Sequence, residues 1–163
     1  MAWVTSTFST IQIWIQTFPE RLTVPEITRV TAAILEKNGR IIIAQRKRDD
    51  RLSGLWEFPG GKIEPDETPE VCLARELKEE LDIDVIIGEF FASNIHHYDH
   101  ISIELMAYRA YWGSGEIRMN DHEAYQWVTV DQLAEFDFSP ADIPFVEMLK
   151  RTHISITAQS EGR

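Results

Sequence analysis

The sequence predicts one layered domain, of the α+β or α/β class, in which strands outnumber helices and the helices fall between them. The chain has 163 residues, 44% of them hydrophobic, which is enough to bury one sizeable core. Two apolar runs flank Asn38-Gly39, a dipeptide typical of a two-residue hairpin turn. After the paired glycines at 60 and 61, an acidic segment has the apolar spacing of an amphipathic helix. Together these observations indicate a sheet with helices packed on it.

Strands are predicted on both sides of the hairpin turn and again in the second half of the chain. Val, Ile, Phe and Tyr are frequent in these runs, and turn residues separate them. The predicted strands span 28–35, 40–46, 84–98, 100–112 and 123–130, with a short extended run at 55–61. The two longest runs are expected to form an antiparallel pair joined near Asp99.

Helix signals occur in three places. Thr68 is a suitable N-cap and Pro69 suits the first helical position, so a helix is predicted to begin there. A short helix is predicted over 131–136, and Ser139 and Pro140 provide a cap signal for a final helix. We therefore expect a domain over 27–153, with an N-terminal extension at 1–26 and a C-terminal tail at 154–163.

No function is predicted for the N-terminal extension. Its isoleucines between positions 11 and 15 alternate with Gln or Trp, so it is either an added edge strand or disordered. It lacks the basic start and continuous apolar core of a signal peptide, and Gln12 and Gln16 interrupt any membrane span. The only cysteine, Cys72, fits a reducing compartment. A cytoplasmic protein that does not enter membranes is expected.

The formal net charge of −11 is concentrated in one stretch. Residues 64–84 contain nine acidic and two basic residues, a net charge of −7. Such a chain is a poor candidate for binding long nucleic acid, which needs clustered lysine and arginine. Like charges one helical turn apart repel each other by roughly 0.2–0.5 kcal/mol per pair. A stretch that accepts this repulsion is either a solvated surface or a site for a cation that could hold a small polyanion.

The predicted acidic helix separates an apolar stripe from a carboxylate flank. The residues expected to face the core are Ala74, Leu77 and Leu81. The carboxylates on the adjoining flank, at spacing i, i+3 and i+4, are Glu76, Glu79 and Glu80. Converging carboxylates suit Mg²⁺ or Mn²⁺, and Arg75 offers a guanidinium that can orient one of them. The alternative is a solvated acidic helix face.

The order of these residues resembles the Nudix box, G-x5-E-x7-R-E-U-x-E-E-x-G-U, in which U is aliphatic. Eight of its nine defined positions match: Gly61, Glu67, Arg75, Glu76, Leu77, Glu79, Glu80 and Ile83. The departure is Asp82, where the family has a helix-ending glycine, but Asp is among the residues that tolerate left-handed backbone. The likeness covers about 28–150, and "LWEFPGGKIEPDETP" and "FSPADIP" are similar to the MutT-type nucleotide branch.

The resemblance implies an α+β Nudix fold, a mixed β-sheet sandwiched between α-helices, and metal-dependent hydrolysis of a nucleoside diphosphate linked to a further group. It adds the carbonyl of Gly60 to Glu76, Glu79 and Glu80 as a metal ligand, with Mg²⁺ the expected ion and Mn²⁺ a substitute. Glu76 is then the candidate base for the attacking water. Arg75, Glu79 and Glu80 are the other residues of this helix that the resemblance implies to be catalytic. A later-loop carboxylate also contributes in such enzymes. Asp121 lies at the matching distance before Trp127, with Glu123 as the alternative.

Four residues are candidates for substrate binding. Arg46 and Lys62 are either phosphate contacts or ordinary surface cations, and Gly61 is expected beside the substrate. Asp142 matches a position where members that remove 8-oxoguanine nucleotides read the base with an asparagine. An ionised Asp only accepts hydrogen bonds, which fits a cytosine amino group or the N7–H of 8-oxoguanine. A carboxylate favoured by a helix N-terminus explains Asp142 equally well.

The expected activity is conversion of a nucleoside triphosphate to monophosphate and diphosphate, by a monomer or a homodimer. Damaged triphosphates such as 8-oxo-dGTP, or modified and pyrimidine triphosphates, are the expected substrates. The alternatives are hydrolysis of ADP-ribose or a sugar nucleotide, and a nucleotide-binding module without catalysis. Retention of all three glutamates argues against the module. No transition-metal site is expected from the histidines, because adjacent histidines on a strand point to opposite faces.

Overall fold

The computed structural model describes residues 27–48 and 51–161 of the chain. The prediction of an N-terminal extension therefore lies outside the described residues. The strands are β1 (Ile27–Lys37), β2 (Arg40–Arg46), β3 (Trp56–Glu57), β4 (Ile83–His97), β5 (Ser102–Gly115) and β6 (His122–Val128). The helices are α1 (Pro69–Leu81) and α2 (Ile143–Glu161), with a 3₁₀ turn at Asp131–Glu135.

The six strands form one mixed sheet. Its order is β3-β2-β1-β5-β4, and β6 pairs with β2. The β1–β2 and β4–β5 pairs are antiparallel, as predicted, whereas β1 and β5 run parallel. Asn38 and Gly39 both have positive φ, 53° and 70°, which the predicted hairpin turn requires.

The sheet opens between β1 and β2, and this opening positions the site. The two strands pair only beside their turn, at Glu36↔Ile41 and Lys37↔Arg40. Residues 56–63 enter the gap: β3 pairs with β2, while the carbonyls of Pro59 and Gly61 accept hydrogen bonds from β1, both at 2.8 Å. The glycine pair is therefore anchored inside the sheet.

Helices cover both faces of the sheet, so the predicted fold is confirmed. The α1 residues buried on one face are Cys72, Leu73, Leu77 and Leu81. The α2 residues buried on the other face are Phe145, Val146 and Leu149. The prediction that Ala74 faces the core was wrong in detail, because Ala74 is only half-buried and Leu73 takes its place. The buried stripe follows the i, i+4, i+8 row from Leu73.

The final helix begins four residues after its predicted cap signal. Ser139 accepts a backbone hydrogen bond from Asp142 at 2.9 Å, so residues 140–142 form a turn ahead of the helix. The helix then continues to Glu161, across the predicted end of the domain at residue 153. No helix in the described part of the chain is long and apolar enough to cross a membrane.

Candidate active site

A cavity of about 800 Å³ opens at the split in the sheet. The predicted site residues that line it are Arg46, Gly60, Gly61, Lys62, Glu80, Asp121 and Asp142. They come from β2, the glycine turn, α1, the loop before β6 and the turn before α2, so the fold collects residues almost 100 positions apart. Glu76 joins them from α1, because its carboxyl group lies against Gly61.

Gly60 and Gly61 permit backbone and side chains to approach closely. A Cβ atom on Gly61 would lie 2.2 Å from Cδ of Glu76, so any side chain there would displace that carboxyl group. A Cβ atom on Gly60 would lie 2.2 Å from the carbonyl oxygen of Thr31. Both glycines are therefore required by packing, one against a carboxylate and the other against β1.

Arg75 hydrogen-bonds to three acidic residues, two on α1 and one in the loop before it. Its guanidinium donates hydrogen bonds to Glu67 at 2.7 and 3.0 Å, to Glu76 at 2.9 Å and to Glu79 at 3.2 Å. These bonds hold the pKa of Glu67 at about 2, well below its usual value. The sequence predicted that Arg75 orients one carboxylate; in the structure it contacts three.

Glu80 is the most desolvated of the three helix glutamates. Burial raises its pKa to about 8, with Glu57, Glu76 and Asp121 adding to the shift and His122 opposing it. Its Oε2 atom is buried and has no hydrogen-bond partner among the described residues. A buried carboxylate oxygen without a donor is costly, and a cation would supply the missing partner.

Glu76 and Glu79 both accept hydrogen bonds from Arg75 but differ in exposure. Burial is the main cause that raises the pKa of Glu76, while Arg75 opposes the shift. The Glu79 side chain is 58% exposed and is held toward Glu76 through Arg75. Carboxylates with an adjacent backbone carbonyl form the all-oxygen donor set that hard divalent cations prefer, so these residues fit such an ion.

Asp121 and Glu123 differ in their position relative to the cavity. Asp121 lines it and forms an ion pair with Lys47 at 3.6 Å, whereas Glu123 pairs with Arg48 at 3.7 Å. Glu123 is not among the cavity residues. The geometry thus favours Asp121 as the later-loop carboxylate, and its catalytic role stays a prediction.

Asp142 is almost completely buried, with 4% of its surface exposed. Its Oδ1 accepts a hydrogen bond from the backbone N–H of Phe58 at 3.1 Å. Burial, with the charge of Glu57, raises the pKa of Asp142 well above its usual value. The raised pKa favours the protonated form, so the carboxyl group can donate a hydrogen bond as well as accept one. A protonated carboxyl group both donates and accepts, as an asparagine does.

Sequence reasoning missed two cavity residues that lie between Glu80 and Asp142. Glu57 accepts hydrogen bonds from Arg46 and from His122, the latter at 3.0 Å. The His122 side chain is only 4% exposed. The sequence places Glu57 within "WEFPGG" and His122 beside Asp121, so either residue could have been suspected from its neighbours. Only the pairing of β3 and β6 with β2 brings the two together.

Comparison with known proteins gives consistent matches over this region. The NUDIX domain family model matches residues 25–149. The chain is 38% identical over 122 residues to the CTP pyrophosphohydrolase of Escherichia coli K12, covering 75% of this chain and 90% of that protein. It is 33% identical over 118 residues to the 8-oxo-dGTP diphosphatase of the same strain, covering 72% and 92%. The solution structure of the E. coli ORF135 protein superposes with a TM-score of 0.71 at 35% identity, covering 83% and 97%.

Proposed function

Because this chain belongs to the NUDIX family, we propose that it hydrolyses nucleoside triphosphates to the monophosphate and diphosphate, with Mg²⁺ as its cofactor and Mn²⁺ as a substitute. The observation that carries the proposal is the buried, unpartnered Oε2 of Glu80 beside the Glu76 carboxyl and the glycine turn. Relatives named CTP pyrophosphohydrolase and 8-oxo-dGTP diphosphatase support a triphosphate substrate.

Glu76, Glu79, Glu80 and the carbonyl of Gly60 are the proposed metal ligands. When bound, the cation neutralises phosphate charge and lowers the pKa of the attacking water. The chain's own part is to hold its carboxylates in place before substrate arrives. Arg75 does this by donating to Glu76 and Glu79 at once, while its bonds to Glu67 tie the helix to the preceding loop.

Two carboxylates are available to take the proton from water. Glu76 lies against Gly61, and its half-buried position raises its pKa, which makes it a better proton acceptor than an exposed glutamate. Asp121 faces the same cavity from the loop before β6, where Lys47 holds it. We propose Glu76 as the base and Asp121 as the second carboxylate of the phosphate end, with Arg46 and Lys62 as phosphate contacts.

Asp142 is proposed to read the base. A protonated carboxyl group presents an O–H donor beside a carbonyl acceptor. Cytosine offers the complementary acceptor and amino donor, and 8-oxoguanine offers O6 beside N7–H. Unmodified guanine offers two acceptors, O6 and N7, at the same edge. The site is therefore proposed to favour pyrimidine or 8-oxo-dGTP substrates over dGTP, which is the selectivity that cleaning of the cytoplasmic nucleotide pool requires.

The proposal is tested by separating products after incubation of the full chain with Mg²⁺. The panel contains the standard triphosphates, 8-oxo-dGTP, 5-methyl-dCTP, ADP-ribose and nucleotide sugars. We expect monophosphate and diphosphate from a triphosphate, with dCTP-type or 8-oxo-dGTP substrates cleaved faster than dGTP. Cleavage of ADP-ribose or nucleotide sugars alone would overturn the substrate class, and no cleavage with either Mg²⁺ or Mn²⁺ would favour a binding module.

Glu80→Gln provides the matched inactive variant. Burial favours the uncharged form of Glu80 when no cation is bound, and the amide of Gln resembles that form in shape and charge, so the variant should fold. We expect kcat to fall on the order of 10²–10³-fold, the cost of removing one electrostatic group from an active site. Glu135→Gln, on the exposed 3₁₀ turn, is the control and should retain wild-type kcat.

A further inference from the structure

Glu57 bridges two cationic or polar side chains inside the cavity. One carboxylate oxygen accepts from Nη1 of Arg46, and the other accepts from Nε2 of His122 at 3.0 Å. The side chain of Glu57 is 17% exposed, so these bonds are largely shielded from water. Shielded hydrogen bonds to a carboxylate are stronger than exposed ones and hold their partners in fixed orientations.

The three residues come from three adjacent strands. Glu57 ends β3, Arg46 ends β2 and His122 begins β6. The register between β2 and β6 shifts at this point: Gln45 pairs with Ala124 but Arg46 pairs with His122, so Glu123 is bulged out. Bulges beside active sites change the direction in which side chains point. This bulge places the imidazole of His122 opposite Arg46 and leaves Glu123 unpaired in the strand register.

The hydrogen bond to Glu57 determines which nitrogen of His122 carries a proton. An ionised carboxylate has no proton to give, so Nε2 of His122 is the donor. The opposite nitrogen, Nδ1, is buried and has no hydrogen-bond partner among the described residues. Among the described residues, the imidazole's hydrogen bond is the one from Nε2 to Glu57, and its charge also opposes the pKa shift of Glu80.

We propose that His122 is a positioning residue: through Glu57 it holds the guanidinium of Arg46 in the orientation that grips the substrate phosphates. The inference rests on the proposed function, in which Arg46 contacts phosphate. Without His122, one oxygen of Glu57 loses its donor and the carboxylate is free to turn away from Arg46. Arg46 would bind the phosphates equally in the substrate complex and in the transition state. If Arg46 is no longer held in place, we expect KM to rise and kcat to stay nearly unchanged.

Matched substitutions at position 122 distinguish positioning from packing. In His122→Gln the side-chain amide nitrogen can occupy the place of Nε2 and donate to Glu57, whereas the shorter amide of His122→Asn cannot reach it. We expect KM for the best triphosphate to rise about tenfold in His122→Ala and His122→Asn, and to return within about threefold of wild type in His122→Gln. His153→Ala, on the exposed surface of α2, is the control.

A double-mutant cycle tests whether the effect passes through Arg46. In the Arg46→Ala background, we expect His122→Ala to leave KM unchanged, because the side chain on which it acts is already absent. Calorimetric affinity for the nucleoside monophosphate, measured without metal, should follow the same order as 1/KM across the variants. Circular dichroism of each variant establishes that it is folded.

The inference is overturned if His122→Gln behaves like His122→Asn. It is also overturned if the KM effects of His122→Ala and Arg46→Ala add in the double variant, or if His122→Ala changes only the melting temperature. These results differ from a failure of the proposed function. In that case wild type would cleave no triphosphate, and the monophosphate affinity alone would show whether His122 supports Arg46.

Discussion

Asp142 is a carboxyl group that the fold has taken almost entirely out of water. Its neighbours offer one backbone donor, from Phe58, and the negative charge of Glu57, while the charge of Arg46 opposes the resulting pKa shift. Desolvation of the carboxylate outweighs the one hydrogen bond from Phe58, so burial shifts Asp142 toward its protonated form. A nucleotide at this site would therefore contact a side chain that donates and accepts hydrogen bonds, as an amide does, rather than a negatively charged group.

Asp142→Asn is expected to stabilise the protein at pH 8 and to have little effect near pH 4. The folded-state pKa is raised, so the folded form retains a proton that the unfolded chain loses above its ordinary pKa near 3.8, and wild-type stability falls as pH rises beyond that value. Asparagine removes this penalty. Thermal unfolding at both pH values tests the prediction, with exposed Asp137→Asn as the control. An equal difference in Tm at pH 4 and pH 8 would contradict it.

The ends of α1 follow from its sequence. Thr68 accepts a hydrogen bond from the N–H of Val71 at 3.3 Å, and Pro69 begins the helix, as predicted. Asp82 ends it with a φ of 56°, the left-handed conformation that a family glycine would adopt without strain. The one departure from the Nudix box is therefore a matter of helix capping, at a position outside the cavity lining.

Asp82→Gly should stabilise the protein by about 0.5–1 kcal/mol, because glycine adopts this left-handed conformation without the strain of a Cβ atom. The substitution also removes ion pairs with Lys78 at 3.1 Å and Arg118 at 3.9 Å, but exposed pairs of this kind contribute little. Urea unfolding measures the change, and kcat should be unaffected. Asp82→Asn, which keeps the side-chain shape and loses the charge, separates the two effects. Destabilisation by both substitutions to the same extent would show that the ion pairs dominate.

Local patterns predicted the elements, whereas pairing between distant strands decided the parts of the site that were missed. The hairpin at Asn38-Gly39 and the cap at Thr68 depend on residues within four positions of each other, and both are confirmed. Glu57 and His122 are 65 residues apart, and no periodicity relates them. They meet only because β3 and β6 pair with opposite edges of β2. The ionisation of Asp142 was likewise unpredictable, since it depends on burial by the whole fold.

At the scale of the whole molecule, the fold concentrates negative charge at the site, where a cation would relieve it. The chain carries a formal charge of −11, and the folded site brings Glu76 and Glu80 into partly or largely desolvated positions. Like charges held together in low dielectric repel strongly, and protonation of one of them is a way to relieve that cost. A divalent cation would relieve it more completely, because it would also supply the missing partner of Glu80 Oε2.

Mg²⁺ or Mn²⁺ should therefore raise the melting temperature of the protein without any nucleotide. A ligand that binds only the folded state at about 100 times its dissociation constant adds about 2.7 kcal/mol, or roughly 5–10 °C in Tm for a chain of this size. Differential scanning fluorimetry after chelation and metal titration measures the shift, with NaCl at matched ionic strength to separate screening from binding. Glu80→Gln should lose most of the shift, and Glu135→Gln should retain it. A shift of equal size in NaCl would show that the acidic helix responds to general screening, and that its carboxylates do not converge on a metal.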